Sequence, residues 1–513
     1  MKKIVFQDEI VLYWDKEWAL QSLPFYRVYL NGKMVGATEK THFTLYGLIP
    51  ETDYEIKIER MAEETVQTLF CERVQTPKAR KRIDVTKPPY NAVGDGKTVN
   101  TLTLQQAIDD CKAGETVYLP EGTYLSGALR LHSDMELYVD KNAVLQGTSE
   151  VDAYLPKIKS RFEGIEMDCY SSLLNMGTLD HAADYNCENI VIRGGGAIYG
   201  GGVGLLENVI ERERENMRER LSAHPEILKE FSNERILYAR ARGRLINISN
   251  CKNVIISDLS LGYGAAWNVH FTYSKEIVTC NASIRSEGVW NGDGWDPDSS
   301  EDCTIFNVDF CTHDDAIAIK SGKNPEGNVI NRPTKNIRVF DCRGRNGIAI
   351  GSELSGGVSK VYIWDCSLLN GVAGFRIKTN RKRGGYAKDV KIKDCRFAEV
   401  RIYTGYACND DGAGVQELTD IENVCLENVE SFGHVIQWQM GGIIVDAPCV
   451  IVSGFEEKYI KNLSMKNMRI HARGDNLKKK FDISNVENLI LENLCVVNEN
   501  IYKRFFENDG GVI

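Results

Sequence analysis

A short phrase recurs through the second half of the chain, and this repeat limits what the chain can fold into. It first reads KNVIISDLSL and returns as KEIVTCNASI, EDCTIFNVDF, KNIRVFDCRG, SKVYIWDCSL, KDVKIKDCRF, ENVCLENVES, KNLSMKNMRI and ENLILENLCV. Each copy contains an alternating β-branched strand and an Asn, Asp or Gly turn, with little helical periodicity. A unit that returns about every 20 to 30 residues indicates a solenoid. We therefore predict an all-β fold, a right-handed parallel β-helix with one coil per repeat.

One position in each copy serves as the anchor of the repeat, and its spacing runs from 23 to 39 residues. The longer spacings indicate loops inserted on one side of the coil. Parallel coils stack equivalent side chains, so we expect ladders of Asn and of Cys that point inward. Cys342, Cys366 and Cys395 follow the same Asp in three copies and would be structural. The anchors are Asn253, Glu276, Asp302, Asn336, Lys360, Asp389, Asn423, Asn462 and Asn488.

Residues 3–75 precede the repeats and read as short strands joined by turns. The dipeptide Asn31-Gly32 between two strand-like runs is a strong hairpin signal. The segment LIPETDYEIKIE places Tyr54 as in the tyrosine corner of fibronectin type III domains, which it resembles, and Trp14 would fill the core. We therefore predict a small fibronectin type III-like β-sandwich. It would serve as a sugar-binding or spacer module, or as a packing domain that shields one end of its neighbour.

The expected domain limits are 1–78 for the sandwich, 79–89 for a polar linker with flanking prolines, and 90–513 for the catalytic β-helix. A capping helix should begin the β-helix, because an open solenoid end exposes apolar surface and unpaired strand edges. The charged segment Glu207–Phe231 interrupts the repeat. We interpret it as a helical insertion that forms a solvated flap or, alternatively, an oligomer contact. The apolar positions of the capping helix are Leu104, Ala107, Ile108 and Cys111.

Composition excludes several classes of function. The formal charge of −10 argues against a general nucleic-acid binder, which needs a basic surface. No run of about 18 apolar residues occurs, so we expect no membrane span. Acids and amides interrupt the apolar N-terminus before the core of a signal peptide forms, so we expect a cytoplasmic protein, or a secreted or periplasmic one if a leader was removed. The 15 cysteines include no zinc-spaced pair, and the sequence leaves homo-oligomerisation open.

Carboxylates and cations cluster in four stretches on successive repeats. NGDGWDPDSS contains Asp293 and THDDAIAIKSG contains Asp314 and Asp315, and GRNGIAIGSELSGGV and GFRIKTNRKRGG follow. Asp293 and Asp315 are 22 residues apart, which is about one coil. Neighbouring coils lie about 4.8 Å apart. We therefore expect these carboxylates to lie together on one face of the β-helix.

The alternation of strand side chains adds detail to this face. In FRIKT, Arg376 and Lys378 are two residues apart and should both point outward. Asp314 shares the outward parity of Lys320 in the neighbouring strand. Asp315 does not share it, so its side chain reaches this face only if the preceding turn breaks the alternation.

This combination of groups suits glycoside hydrolysis. The reaction needs one protonated carboxyl to protonate the leaving oxygen, and an ionised carboxylate to activate water or act as nucleophile. Crowded carboxylates do not all ionise easily, so the pKa of one rises and a general acid is available near neutral pH. Arg376 and Lys378 would add a cationic site suited to a substrate carboxylate.

Together, the four stretches resemble the polygalacturonase family, glycoside hydrolase family 28, over about residues 85 to 500. The front end resembles that of bacterial exo-acting members. The resemblance implies that Asp314 is the general acid and that Asp293 and Asp315 together activate a water, with inversion at the anomeric carbon. It implies no metal and no cofactor. Insertions around the cleft favour exo attack, so we expect release of terminal galacturonic acid from pectin-derived oligosaccharides.

The resemblance also implies substrate-binding residues. Arg376 and Lys378 would bind the sugar carboxylate, and Asn291 would keep the site in shape. Arg345 stands where the family usually has a His, and because Arg cannot shuttle a proton it would contact substrate or an Asp. Candidate sugar platforms in the longer loops are Tyr403, Tyr406 and Trp438. His270 in AAWNVHF is expected to support the structure.

Three alternatives remain open. The enzyme would act on another terminal sugar, of rhamnogalacturonan or another plant glycoside, if Arg345 selects it. A pectate lyase shares the β-helix but needs calcium and an Arg base. A sugar-binding β-helix without catalysis would bind oligosaccharide and not turn it over.

Overall fold

The chain divides into two structural units close to residue 82. The computed structural model describes residues 1–19, 24–62, 65–231, 233–370, 374–408, 410–437, 443–446, 449–471 and 481–497. One unit comprises Met1–Arg82 and Gly114–Thr116, and the other comprises Ile83–Ala113 and Val117–Ile513. The finer domain limits expected from the sequence, including the linker over 79–89, stay a prediction.

The first unit contains a three-stranded and a four-stranded antiparallel sheet. Its hairpin turns at Asn31-Gly32, where both residues have positive φ as a two-residue turn of this kind requires. The hydroxyl of Tyr54 accepts a hydrogen bond of 2.9 Å from the backbone N–H of Ile49, which is the expected corner contact. Trp14 is buried in the core against Tyr26. The strands are Lys2–Val5, Glu9–Tyr13, Phe25–Leu30, Lys33–Thr38, His42–Tyr46, Asp53–Ala62 and Thr65–Gln75.

The second unit is a right-handed parallel β-helix, as the repeat predicts. In the part of the chain that the structure describes, its strands form two long sheets, one of 11 and one of 21 strands, in which each coil pairs in parallel with the next. The strands of the 11-stranded sheet are Leu129–Leu131, Leu174–Met176, Ile246–Ser249, Val269–Thr272, Trp295–Asp298, Ile317–Ile319, Ile348–Gly351, Phe375–Lys378, Val400–Tyr403, Val450–Ser453 and Phe481–Ser484.

The 21-stranded sheet contains the repeated phrases. Its strands are Arg82–Asp84, Asp95–Val99, Thr116–Leu119, Gly122–Ser126, Glu136–Val139, Ala143–Gly147, Cys187–Arg193, Ala197–Tyr199, Cys251–Ser257, Ser260–Gly262, Lys275–Arg285, Thr304–Cys311, Thr334–Arg345, Val358–Trp364, Ser367–Asn370, Tyr386–Phe397, Asp420–Ser431, Ile460–Lys466, Arg469–His471, Val486–Glu492 and Cys495–Val497. Two short hairpins, Ile158–Phe162 with Ile165–Cys169 and His434–Gln437 with Ile443–Asp446, lie outside both sheets.

Every anchor of the repeat has a positive φ, from Asn253 to Asn488. Asn and Asp tolerate this left-handed conformation better than most residues, which explains their recurrence. A second left-handed position follows five residues after each anchor, at Asp258, Asn281, Asn307, Asp341, Asp365, Asp394, Asn428, Asn467 and Asn493. The repeat is therefore a pattern of two backbone bends that recur at the same places in every coil.

The Asn ladder does not point inward, so that expectation was wrong. The Asn423 side chain donates to Asp389 at 2.9 Å, and Asn462 donates to Asn423 at 2.8 Å. Asn423 and Asn462 are exposed, because a left-handed bend turns the side chain away from the core. The Cys ladder does lie inside, since Cys342, Cys366 and Cys395 are all buried in the core.

The helices lie where the repeat is absent. They are Thr101–Asp109, Gly202–Ala223, Glu234–Ala239 and Glu326–Ile330, with 3-10 turns at Val151–Tyr154 and Pro225–Glu230. The first is the expected capping helix, with Leu104, Ala107 and Ile108 buried. Searched over the described residues, the helices include none with the length and apolar character that crossing a membrane requires.

The charged insertion packs one face of its helix against the domain, while most of its other side chains are exposed as expected for a solvated flap. Helix Gly202–Ala223 is polar on average but buries one apolar stripe, comprising Leu205, Leu206, Val209, Ile210 and Leu221. This stripe belongs to a second hydrophobic cluster with residues of Val151–Tyr154 and of Glu234–Ala239. The insertion is therefore a fixed part of the β-helix domain.

Candidate active site

Consecutive strands of the 11-stranded sheet bring the four sequence stretches together. Trp295 pairs with Ile317, Ile317 with Ile348, and Ile348 with Phe375. Each stretch therefore lies on the coil next to the last. The backbone N–H of Gly294 donates to the carbonyl oxygen of Asp315 at 3.0 Å, so the two acidic stretches are in direct contact.

A buried lysine joins two carboxylates of the first stretch. The Lys320 Nζ lies 3.1 Å from Asp293 Oδ2 and 3.4 Å from Asp296 Oδ2. It also lies 3.7 Å from the centre of the Trp267 ring, and it is only 3% exposed. Sequence parity placed Lys320 on this face but assigned it no role.

The turn before strand Ile317–Ile319 breaks the strand alternation. The Thr312 hydroxyl donates to the carbonyl oxygen of Asp314 at 2.8 Å. The Asn346 amide donates to the carbonyl oxygens of Thr312 and Asp314 at 2.7 and 2.8 Å. This turn lets the Asp315 side chain reach the outward face, where Asp315 Oδ2 accepts from Lys378 Nζ at 2.7 Å.

The carboxylates of this cluster resist ionisation. Burial, and the nearby carboxylates, raise the pKa of Asp293 well above its usual range, although Lys320 opposes the shift. Burial raises the pKa of Asp296 to about 7. Burial and the neighbouring Asp315 raise the pKa of Asp314. The cluster therefore holds at least one proton close to neutral pH, which is the condition for a general acid.

Asp298 belongs to a different arrangement at the end of the same strand. It is fully buried and forms an ion pair of 2.9 Å with Arg161, which is also fully buried. Although burial opposes the shift, Arg161 and His270 hold the pKa of Asp298 well below its usual range. Burial lowers the pKa of His270 to about 3, so this ring is neutral at ordinary pH. His270 lies inside the protein beside Trp267, consistent with the expected supporting role.

The two expected carboxylate-binding cations each hold a protein carboxylate. Arg376 donates through Nε at 2.7 Å and through Nη2 at 2.6 Å to Glu399 Oε1. Glu399 is almost fully buried and therefore fixes the guanidinium plane. Lys378 pairs with Asp315 and lies 5.2 Å from the Tyr406 ring centre. Arg376 and Lys378 thus form the cationic side of the same cluster.

Asn291 is held in place from behind. Its side-chain oxygen accepts from Arg242 Nη2 at 2.7 Å, and Arg242 also donates to the carbonyl oxygen of Trp290 at 2.7 Å. Arg242 is fully buried, and burial lowers its pKa to about 9. Asn291 therefore has a fixed orientation at the edge of the site.

The other residues that the sequence predicts to bind substrate, Tyr403, Arg345 and Trp438, do not all lie at this cluster. Tyr403 ends strand Val400–Tyr403 and contacts Tyr406, with ring centres 6.0 Å apart. Arg345 pairs in register with Cys311 in the 21-stranded sheet. It does not line the cavity formed by the described residues, and its neighbour Asn346 instead contacts the Asp314 turn. Trp438 lies outside the described residues.

A cavity of about 930 Å³ reaches this cluster at Asp314. Asn291, Trp290 and Tyr406 also line it, whereas Asp293 and Asp315 are not among its lining residues. Phe231 at the end of the insertion also lines it, so the insertion forms part of the site. A volume of this size is within the range of small-ligand sites, about 300 to 1,000 Å³.

Sequence reasoning left several residues of this site unassigned. Lys320, Asp296 and Asn346 lie inside the recognised stretches, so their motif position was the available signal. Glu399 follows a phrase of the repeat and could have been found as the partner of Arg376 one coil on. Arg242 and the insertion residues carry no repeat signal.

Comparison with known proteins gives consistent matches. A model described as Glycosyl hydrolases family 28 matches residues 183–495, and a model described as Rhamnogalacturonase A/epimerase, pectate lyase-like, matches residues 85–159. A probable polygalacturonase of Vitis vinifera is 30% identical over 322 residues, which cover 59% of this chain and 58% of that protein. An exo-poly-alpha-D-galacturonosidase of Dickeya chrysanthemi is 24% identical over 455 residues, covering 78% and 75% of the two chains.

Two solved structures share the fold. The family 28 exopolygalacturonase of Yersinia enterocolitica superposes with a TM-score of 0.80 at 20% identity, covering 96% of each chain. The hyperthermoactive exopolygalacturonase of Thermotoga maritima gives a TM-score of 0.66 at 25% identity, covering 82% of this chain and 92% of that one. The likeness to the Yersinia structure extends over nearly the whole chain.

Proposed function

Since the chain belongs to glycoside hydrolase family 28, and is therefore a hydrolase of O-glycosidic bonds, we propose that it removes terminal galacturonic acid from pectin-derived oligosaccharides. The observation that carries this proposal is the Asp314 carboxyl, which lines the cavity and has a raised pKa beside a cationic pair. Relatives named as exo-acting enzymes on galacturonans add support.

In the proposed mechanism Asp314 is the general acid. It lines the cavity, and burial with the adjacent Asp315 favours its protonated form. Asp293 and Asp315 each contact a lysine, Lys320 and Lys378 respectively, and Lys320 opposes the rise that burial causes in the pKa of Asp293. In this proposal Asp293 and Asp315 together activate a water while Asp314 protonates the leaving oxygen.

We propose inversion at the anomeric carbon, as the resemblance implies. In an inverting enzyme the water attacks the face opposite the acid, and no glycosyl-enzyme forms. Proton NMR of the sugar released in the first minutes distinguishes the outcomes. A product of opposite anomeric configuration supports inversion, whereas retained configuration contradicts it.

The substrate carboxylate is proposed to bind at Arg376 and Lys378, with Tyr403 as a sugar platform. Glu399 fixes the orientation of Arg376, and the guanidinium carries five N–H donors in a planar fork that suits a carboxylate. Arg345 and Trp438 stay candidates for contacts with a longer or different sugar. A different terminal sugar selected by Arg345 is the second candidate, and Asn346, which follows Arg345, ties that residue's loop to the Asp314 turn.

A single set of assays tests the proposal. Purified enzyme is incubated with short oligogalacturonates, a panel of aryl glycosides and polygalacturonate, and the released sugars are identified by chromatography. Release of monomeric galacturonate by wild type, lost in Asp314→Asn, supports the proposal. Release of another sugar favours the second candidate, and an unsaturated product that needs calcium indicates a lyase.

A further inference from the structure

A loop runs back over the active site from a later coil. It follows strand Val400–Tyr403, and we call residues 406–408 and 410–413 the strap. The backbone N–H of Tyr406 donates to the carbonyl oxygen of Thr379 at 3.0 Å. Further along, Asn324 donates through its amide to the carbonyl oxygen of Ala413 at 2.9 Å. The strap therefore returns from the coil of Tyr403 to that of Asn324.

One carboxylate anchors the strap. Arg240 donates to both Asp411 oxygens, at 2.9 and 2.8 Å, and Lys323 Nζ lies 2.5 Å from Asp411 Oδ1. Arg240 also holds Glu163 at 2.8 Å. The side chains of Arg240, Lys323 and Asp411 are 10%, 0% and 8% exposed, so this contact is largely shielded from water.

The anchor joins parts of the domain that are distant along the chain. Arg240 directly follows helix Glu234–Ala239, and Asp411 lies 171 residues later. Lys323 follows strand Ile317–Ile319, which is three strands before Val400–Tyr403 in the sheet. Three spacings of about 4.8 Å make the strap span roughly 14 Å of the coil stack. Asp314 lies in the turn that precedes Ile317–Ile319, and the strap lines the same cavity as Asp314.

The charges of the anchor balance within the protein. Two carboxylates, Glu163 and Asp411, face two cations, Arg240 and Lys323. Burial would raise the pKa of Asp411, but the hydrogen bonds from Arg240 and Lys323 outweigh burial and hold this pKa well below its usual range. Both carboxylates and both cations are thus engaged with one another, so we assign the cluster a mechanical role.

We propose that Asp411 is a positioning residue that locks the strap across the cleft and thereby restricts cleavage to chain ends. A polymer can be cut internally only if it passes through the site, which requires the cleft to be open at both ends. The locked strap and the packed insertion line the same cavity as Asp314 and restrict that passage. This inference rests on the proposed hydrolysis of galacturonans and adds the residue that sets its mode.

The test compares product sizes from polygalacturonate for wild type and Asp411→Asn, with Asp309→Asn as matched control. Asp309 forms a similar two-oxygen pair with Arg343, but this pair is solvent-exposed and lies in the 21-stranded sheet. In Asp411→Asn the ratio of oligomeric to monomeric early products should rise at least about tenfold, which corresponds to ~1.4 kcal/mol of selectivity. Asp309→Asn should give the wild-type ratio.

Folding is checked by thermal unfolding, and Arg240→Lys serves as second variant because it keeps the charge and loses the paired geometry. A smaller rise in the same ratio in Arg240→Lys supports the proposal. If Asp411→Asn folds and still releases only monomer, the proposal is overturned. If Asp411→Asn does not fold, an unchanged product ratio in Arg240→Lys overturns it. In both cases monomer release by wild type leaves the proposed function intact, whereas no release by wild type contradicts that function itself.

Discussion

Asp293 and Asp296 share one segment with Asp298, yet their environments differ. All three are buried, with exposures of 0 to 4%. Burial alone would raise the pKa of each. The pKa of Asp296 does rise, to about 7, but that of Asp298 falls well below its usual range.

The difference lies in the number of cations for each carboxylate. Asp298 forms its ion pair with Arg161 at 2.9 Å, closer than Glu166, the other carboxylate near Arg161, which lies at 3.8 Å, and His270 is beside Asp298. In the neighbouring cluster the carboxylates Asp293, Asp296, Asp314 and Asp315 share two lysines, Lys320 and Lys378. An excess of carboxylates over cations in a buried site keeps a proton bound, and this proton is what acid catalysis requires. One strand thus joins a structural ion pair to a reactive cluster.

The largest effect is expected from Asp314→Asn. The amide keeps the shape of the side chain but cannot deliver the proton, so turnover of oligogalacturonate should fall about 1,000-fold. Initial rates at saturating substrate measure the effect, with unfolding temperature as the control for structure. Turnover within a factor of a few of wild type would remove Asp314 from the acid role.

A second substitution, Arg161→Met, addresses the structural pair. It leaves Asp298 buried without its cation, which should lower the free energy of unfolding by about 3 kcal/mol. Urea denaturation measures this change. The exposed pair of Arg343 with Asp309 offers the control, since Arg343→Met should cost less than about 1 kcal/mol. Equal losses in both variants would mean that the Arg161 pair contributes no more than a surface contact.

Asp296→Asn and Asp298→Asn should shift stability in opposite directions at neutral pH. Because the pKa of Asp296 is raised in the folded protein, the folded state binds more protons between about pH 4 and 7, and stability falls as pH rises. Asp296→Asn should therefore gain roughly 2 kcal/mol relative to wild type over that range. The pKa of Asp298 is lowered in the folded protein, so its ionised carboxylate stabilises the fold above about pH 4, which is the ordinary pKa of an unfolded Asp. Asp298→Asn should lose this stabilisation. Unfolding curves from pH 4 to 8 give both trends, and changes of the same sign would contradict the comparison.

The smallest effect is expected from Glu399→Gln. The amide cannot hold Arg376 through two charge-assisted bonds, so the guanidinium loses its fixed orientation. KM for oligogalacturonate should rise about fivefold, equivalent to ~1 kcal/mol, while kcat changes little. Steady-state kinetics separate the two constants. A fall in kcat at constant KM would place Glu399 in the chemical step instead.

Much of the β-helix was predictable from local pattern. The anchors Asn253 to Asn488 mark left-handed bends, and the alternating strands between them define the buried face. The spacing of Asp293 and Asp315 was enough to place the acidic stretches on neighbouring coils. The direction of the Asn ladder was not predictable, because it depends on how the left-handed bend turns each side chain.

The reactive face was predictable only in part. Parity placed Lys320, Arg376 and Lys378 on one side, but it could not decide Asp315, whose direction depends on the turn held by Asn346. The only sequence signals for Asp296 and Glu399 were a position inside a recognised stretch and a position one coil after Arg376, and neither signal specifies a role. Their function depends on distances across coils, which a repeat does not specify.

The sequence by itself determined the coil, because each repeat contacts its nearest neighbours and its pattern is therefore local. Only the tertiary structure decided which distant side chains complete the site. Arg161 meets Asp298 across 137 residues and Arg240 meets Asp411 across 171. These contacts join an inserted hairpin, an insertion and a loop that share no period with the repeat. The folded coils decide which of these segments come close together. The charged side chains that meet there then decide the charge balance of the active site.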